Sequence, residues 1–357
     1  MSVLALQFGQ CGNQLGHSLF RLLEEDQPGL HRWFVPQGGA EWRPRAVLVD
    51  TETKVVDAVK GSFQGVGVVA PPLGGSANNW ACGYTETGPL LVEDVLNCVR
   101  VEAERCDFLL SFLGLLSLAG GTGSGVGSRV LEQLRLDYPK KTLVNCVVLP
   151  HPTGEIATQG FNCLLSLARM YPLAQATVLL GNAPNRALAL QLAALLQPLP
   201  AVSVAQLCAQ LAPHPGLRLL QVRPPSEDAP HYALKRLMAG PSQKVVAQAL
   251  IQRGDAPLPA ALQRQFVQSV EGVDWVPQAQ IGRIWRTDRG LLGRPRLLSR
   301  VSNSGGLAPL DALVSDAWGA FTHGAYVHHY SKFGVDAQWF LDAFQDVEDV
   351  LGAYRAL

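Results

Sequence analysis

The chain has 357 residues, enough for a substantial core and for two or three domains, and it balances 29 basic residues against 29 acidic ones. Zero net charge leaves no electrostatic footprint for nucleic acid or an anionic membrane, so neither is expected as a partner. Charged residues make up 16% of a chain that is 48% hydrophobic, a balance suited to apolar surface hidden in a protein partner.

Residues 2–8 alternate loosely and predict a first strand. Gly9-Gln10-Cys11-Gly12-Asn13-Gln14 follows, and then Leu15, Leu19, Leu22 and Leu23 recur at helical spacing. Strand, glycine turn and helix make the unit in which backbone N–H groups at a helix start face a ligand. Residues 28–44 are turn-rich, and 45–50 predict a short strand that delivers Asp50, with Glu52 just beyond it. Residues 61–79, rich in glycine and carrying Pro71 and Pro72, predict a loop. From 90 to 106, Leu91, Val95, Val99 and Cys106 fall near one helical face.

The apolar run 107–116 suits a fully buried central strand. A glycine turn, a helix to Leu136 and a second buried strand at 143–149 follow, an order that predicts a parallel sheet. The pattern repeats as a helix at 160–170, a strand at 176–180 and a helix at 185–196, which Pro198 and Pro200 end. Residues 212–230 carry Pro213, Pro215, Pro224, Pro225 and Pro230 and predict a linker. Strands at 245–251 and 296–301 point to a second domain with helices at 311–321 and 337–354 packed on it. In the last helix Trp339, Phe340, Phe344, Val347 and Val350 form a core face.

Seven cysteines are scattered singly, without the paired spacing of a zinc site, and read as small buried hydrophobes in a reducing compartment. The N-terminus lacks the pattern of a secretory signal, and the apolar run 108–119 is too short to span a bilayer. A soluble, intracellular protein without membrane insertion is therefore expected. His323, His328 and His329 have no acid beside them to complete a metal set. No Gly-x-Ser-x-Gly elbow is present, and no catalytic residue is assigned.

The chemistry concentrates in glycine turns. Ala119-Gly120-Gly121-Thr122-Gly123-Ser124-Gly125 follows a buried strand and opens a helix, so its N–H groups and the Thr122 and Ser124 hydroxyls can meet a di- or triphosphate. The lysine of the common triphosphatase loop is absent, and neither glycine turn has the dinucleotide spacing. Two such turns after two strands point to one shared crevice. Asp50 and Glu52 at a strand end can hold hydrated Mg²⁺ or polarise a water, or serve only as solvated turn carboxylates. Asn78 and Asn79 set amide donors beside Trp80 in a loop able to lie over phosphates, or in a plain turn. Asn182 can read a base edge, and Glu155, Gln159 and Asn162 stand near a helix start, within reach of a ribose or base.

These turns resemble those of the tubulin family. Residues 119–125 look like its signature, 9–14 like its first nucleotide loop, Val49-Asp50-Thr51-Glu52 like its second, and Asn78-Asn79-Trp80-Ala81 with 84–86 like its third. The likeness covers roughly the first 190 residues and resumes at Val301-Ser302-Asn303-Ser304 and 328–354, where it leans toward the delta branch. It implies an α/β fold: a Rossmann-like parallel-sheet GTPase domain over 1–200, a smaller α+β intermediate domain over 201–305 and a C-terminal helical region over 306–357. It also implies GTP or GDP with Mg²⁺. Gln10, Cys11, Gln14, Asn78, Asn162 and the 120–125 turn would serve the nucleotide, Glu155 and Asn182 its ribose and guanine, and Asp50 and Glu52 the metal. Other tubulins or centriolar proteins would be partners, in the cytoplasm, the cytoskeleton, centrioles, ciliary basal bodies and the nucleus.

Two departures qualify the resemblance. The family's long central helix, which supplies an aromatic to stack on guanine, is truncated or missing between Leu196 and Leu211. The glutamate that helps hydrolysis in a neighbouring subunit is matched by Gln206, so any GTPase activity in trans is expected to be weak. A nucleotide-free interaction protein of the same fold and an NAD-dependent oxidoreductase stand as rival readings.

Overall fold

The two-sided apolar runs of the first half become the middle of one ten-stranded sheet. The computed structural model describes residues 2–357 except 28, 39–40, 62, 73, 152–153, 155, 198, 200–201, 240–243 and 305–306. Its strands are β1 (Ser2–Phe8), β2 (Phe34–Gly38), β3 (Glu41–Pro44), β4 (Ala46–Val49), β5 (Gly67–Val69), β6 (Leu109–Ser117), β7 (Thr142–Val148), β8 (Ala176–Leu180), β9 (Leu219–Val222), β10 (Val245–Arg253), β11 (Gly282–Thr287) and β12 (Leu297–Ser304). The large sheet has the order β11-β10-β12-β9-β8-β7-β6-β1-β4-β5, and β2 and β3 form a separate hairpin. Strand β12 runs antiparallel to both of its neighbours, whereas the pairs from β5 to β9 are parallel.

Helices cover both faces, as a parallel sheet requires. They are α1 (Gly9–Asp26), α2 (Leu30–Trp33), α3 (Thr53–Lys60), α4 (Gly88–Glu104), α5 (Gly127–Asp137), α6 (Gln159–Met170), α7 (Asn185–Leu196), α8 (Val204–Leu211), α9 (Pro230–Leu237), α10 (Ala260–Gln268), α11 (Gln278–Ile281), α12 (Ala308–Thr322), α13 (His328–Ser331) and α14 (Ala337–Arg355). Side chains alternate along β1. Leu4, Leu6 and Phe8 join the core under α4, α5, α6, α12 and α14, whereas Val3 and Ala5 join the core under α1, α7 and α8. Phe340, Phe344 and Val347 of α14 are buried as expected, with Trp339 and Val350 half-buried against them.

Several loops predicted from composition hold short elements. The turn-rich 28–44 stretch contains α2 and the β2–β3 hairpin, and the glycine-rich 61–79 stretch contains β5, paired with β4. Within the proline-rich 212–230 stretch, β9 pairs with β8 on one side and β12 on the other. Four residues flanked by prolines show no periodicity, yet Leu219 and Leu220 are buried because neighbouring strands supply the hydrogen bonds. The strands expected of a second domain thus continue the first sheet through β9. Only residues 197–203 separate α7 from α8, so no long central helix lies between them. Val204, Leu207, Cys208 and Leu211 of α8 pack on the sheet instead.

Candidate nucleotide site

Strands β1 and β6 lie side by side at the centre of the sheet. From β1 the sheet continues to β4 and β5, and from β6 it continues to β7 and β8. The loops at their C-terminal ends therefore diverge, and the crevice between them is where open α/β sheets take ligands. Both glycine turns open there. Gly9 has φ +68°, and a Cβ on it would lie 2.9 Å from Gly123 N. A Cβ on Gly12 would lie 2.2 Å from the Leu115 carbonyl oxygen, so the first turn of α1 sits directly on β6. No side chain caps the start of the 18-residue helix α1, which leaves N–H groups and the positive end of its dipole for an anion.

The second turn is a π-helical segment, Thr122–Val126, that leads into α5 and is also uncapped by any side chain. It packs on another π-helical segment, Cys82–Thr87, at contacts that only glycine permits. A Cβ on Gly125 would stand 2.3 Å from the Trp80 carbonyl oxygen, and one on Gly83 would stand 2.4 Å from that of Gly121. The Thr122 hydroxyl is 2.7 Å from that of Thr51 and 3.4 Å from that of Ser76, which joins three loops at one point. Ser124 is fully buried, and its hydroxyl donates to the Gly120 carbonyl. That back-bond one turn up the helix takes the one proton the hydroxyl could offer a phosphate.

Asp50 follows β4. Asn13 donates to the Gly9 carbonyl at 2.9 Å and to the Val49 carbonyl at 3.1 Å, and so ties the α1 start to this strand end. The Asp50 Oδ1 accepts from Thr51 N–H at 2.8 Å, while Oδ2 is buried without a partner, as is Asn13 Oδ1. Burial pushes the Asp50 carboxyl above its usual range, against the pull of the Thr51 and Glu52 backbone N–H groups. A buried carboxylate oxygen lacking a donor fits a bound cation. Among the described residues no group of three or more acidic, His or Cys side chains that could hold a metal gathers here. Glu52 is exposed.

The third loop bends through Ala77 and Asn78, both at φ +49°, and leaves Asn78 exposed. Trp80 anchors it. The ring is fully buried, stacks on Tyr84 at 4.4 Å and donates to Ser128 Oγ at 3.2 Å. Asn162, expected to reach a ribose or base, has neither end of its amide free. It is fully buried, donates to the carbonyls of Asn78 (2.9 Å) and Ala119 (2.6 Å), and accepts from Trp80 N–H (2.8 Å) and the Tyr330 hydroxyl (2.7 Å). Its work is to clamp two loops together. Contact with a ligand would require it to give up one of these bonds.

At the far end of the crevice Gln10, Gln14 and Asn182 are exposed, and Gln14 accepts from Asn185 at 3.2 Å. Cys11 is half-buried, with its thiol pushed up to about 11 by desolvation. Glu155 lies outside the described residues. Thr51, Ser76 and Asn185 were not singled out by sequence, because a short polar side chain in a loop carries no pattern. Gln206 completes a capping box at α8: it accepts from Ser203 N–H at 2.7 Å, and its own N–H donates to Ser203 Oγ at 3.2 Å.

The chain is similar in sequence to known proteins. The family description "Tubulin/FtsZ family, GTPase domain" matches residues 2–188. The human tubulin delta chain is 30% identical over 454 aligned positions that take in 99% of each chain, and the mouse tubulin delta chain is 29% identical over 453 positions covering the whole of both. Alignments this long against a 357-residue chain mean that both relatives carry stretches missing here. The tubulin beta chain of Porphyra purpurea is 33% identical over 202 positions, half of this chain and 44% of its own length. A domain match over more than half of the chain, and delta chains matched end to end, show that this chain belongs to the tubulin family.

Proposed function

We propose that this tubulin-family protein holds GDP or GTP with Mg²⁺ in the crevice between β1 and β6. There it serves centrioles, basal bodies and ciliary microtubules as a structural or regulatory component. Other tubulins and centriolar proteins are its partners, in the cytoplasm and at the cytoskeleton. The observation that carries the reading is the close meeting of the Gly9 and Gly123 turns beside the start of α1, where no side chain caps the helix N–H groups. Bound nucleotide would supply the phosphate charge that these groups offset. Isolating the protein from cells, identifying its nucleotide and recording the tubulins that accompany it tests the proposal. Folded protein with no saturable uptake of GDP or GTP in the presence of magnesium would leave a tubulin-fold interaction module, and preference for NAD would favour the oxidoreductase reading.

Asp50→Asn separates the metal role from the fold. Neutralising a buried carboxylate that keeps one oxygen without a donor is expected to leave the melting temperature of the nucleotide-free protein unchanged or higher. The gain in GDP affinity on adding Mg²⁺ should shrink at least about fivefold, as loss of one charged ligand predicts. Calorimetric titration with and without EDTA reads both effects.

Hydrolysis is expected to be weak, because an amide at Gln206 cannot take a proton from water. Glutamate also completes a capping box, so Gln206→Glu should keep α8 within about 0.5 kcal/mol of its stability. Phosphate release by the variant mixed with a partner tubulin should rise above that of the parent. Equal rates would show that α8 does not approach a neighbour's nucleotide.

A further inference from the structure

The C-terminal segment reaches back to the loop and turn at 79–85 through its backbone carbonyls. Asn79, next to the exposed Asn78, donates to the His329 carbonyl at 3.1 Å, and Thr85 donates to the Phe333 carbonyl at 3.0 Å. Tyr330, on α13, is fully buried and in edge contact with Phe161 and Phe340. Its hydroxyl lies 2.7 Å from Asn162 Oδ1 and 3.2 Å from the Thr158 carbonyl, and its single proton serves the shorter contact.

We infer that Tyr330 is a positioning residue for the phosphate loops, acting through Asn162, and that nucleotide binding and docking of the 328–333 segment are coupled. An amide can sit in its slot in two orientations, and only one matches the surrounding groups. Two carbonyls, of Asn78 and Ala119, need the Nδ2 side, while the Trp80 N–H needs the Oδ1 side. The Tyr330 hydroxyl adds a second donor to Oδ1 and so disfavours the flipped amide. One orientation then holds both the third loop and the glycine turn at fixed spacing. Without the hydroxyl the amide is less strongly held, and each loop gains freedom that a phosphate must remove on binding. Linkage makes the effect reciprocal: whatever α13 contributes to nucleotide affinity, nucleotide returns to the docking of α13.

The inference rests on the proposed nucleotide site, and the test keeps the two apart. Full-length parent, Tyr330→Phe and Tyr354→Phe are titrated with Mg·GDP, and the parent is followed by hydrogen exchange with and without GDP. Tyr354 is the control. It is a second buried tyrosine whose hydroxyl bonds Asn303 Oδ1 at 2.8 Å and Leu219 N–H at 2.7 Å, away from the crevice. Both variants should lower the melting temperature, but only Tyr330→Phe should weaken GDP binding, by roughly fivefold to tenfold as loss of one buried hydrogen bond predicts. GDP should slow exchange across 328–333. Parent-like affinity in folded Tyr330→Phe, an equal loss in Tyr354→Phe, or unchanged exchange in this segment would each overturn the coupling while leaving the site in place. Should Tyr330→Phe fail to fold, the exchange experiment on the parent decides alone. A parent protein that takes up no GDP removes the site, and this inference with it.

Discussion

Gly120→Val is expected to weaken GDP binding by more than about tenfold, on the order of 1.4 kcal/mol, while the protein stays folded. A Cβ at Gly120 would meet only Asn78 Oδ1, at 3.7 Å, so no backbone atom stands where the new side chain begins. That position lies beside the exposed Asn78 at the mouth of the glycine turn, where a phosphate must come close to the backbone N–H groups. The neighbouring change behaves differently. A Cβ on Gly121 would stand 2.4 Å from the Ser76 carbonyl oxygen and 2.8 Å from Asn79 N, and backbone atoms cannot swing aside as a flexible side chain does. Gly121→Val should therefore cost on the order of 3 kcal/mol or more and yield little folded protein, which makes loss of binding there uninformative. Calorimetric titration together with thermal unfolding separates the two, and unchanged GDP affinity in folded Gly120→Val would argue that phosphate does not enter this turn.

Glu102→Leu should cost about 3–5 kcal/mol of stability. Glu102 and Arg43 form a two-pronged pair at 2.6 and 3.0 Å, with the two side chains 2% and 3% exposed, joining α4 to β3. Removing the acid leaves the guanidinium buried with the Gly65 carbonyl, at 3.0 Å, for support. Arg105, the third member of the cluster, is half-exposed, and its loss of a partner weighs little. Chemical unfolding of Glu102→Leu, Arg43→Met and the double variant measures the coupling. The double variant should recover most of the loss, because two apolar side chains replace a pair whose desolvation cost offset much of its attraction. A double variant as unstable as the sum of its parts would mean that the pair does not act as a unit. The expected failure is structural: α4 follows the Cys82–Thr87 segment, and β3 leads into the strand that Asp50 follows.

The site was legible where residue type is forced. Gly9, Gly12, Gly121, Gly123 and Gly125 sit where a Cβ would strike backbone, so no other residue serves and the glycines show in the sequence. Strand β1 was legible from its loose alternation, and β6, β7 and β8 because burial on both faces makes them mostly apolar. Strands β5 and β9 were hidden because three or four residues carry no period and owe their place to partners far along the chain. The roles of Ser124 and Asn162 were hidden for another reason. A hydroxyl or an amide suits a ligand and a backbone carbonyl equally well, and only the neighbours choose between them.

By itself the sequence determined the parallel α/β framework and the two glycine turns, because these follow from local backbone freedom and from burial; the shortened middle showed only through the family resemblance. Tertiary structure alone decided that the later strands join the same sheet and that Asn162 clamps two loops under the hold of Tyr330. It also decided that Asp50 keeps one buried oxygen without a donor. Those outcomes depend on which polar groups are brought within 3 Å of one another, and spacing along a chain does not encode that distance.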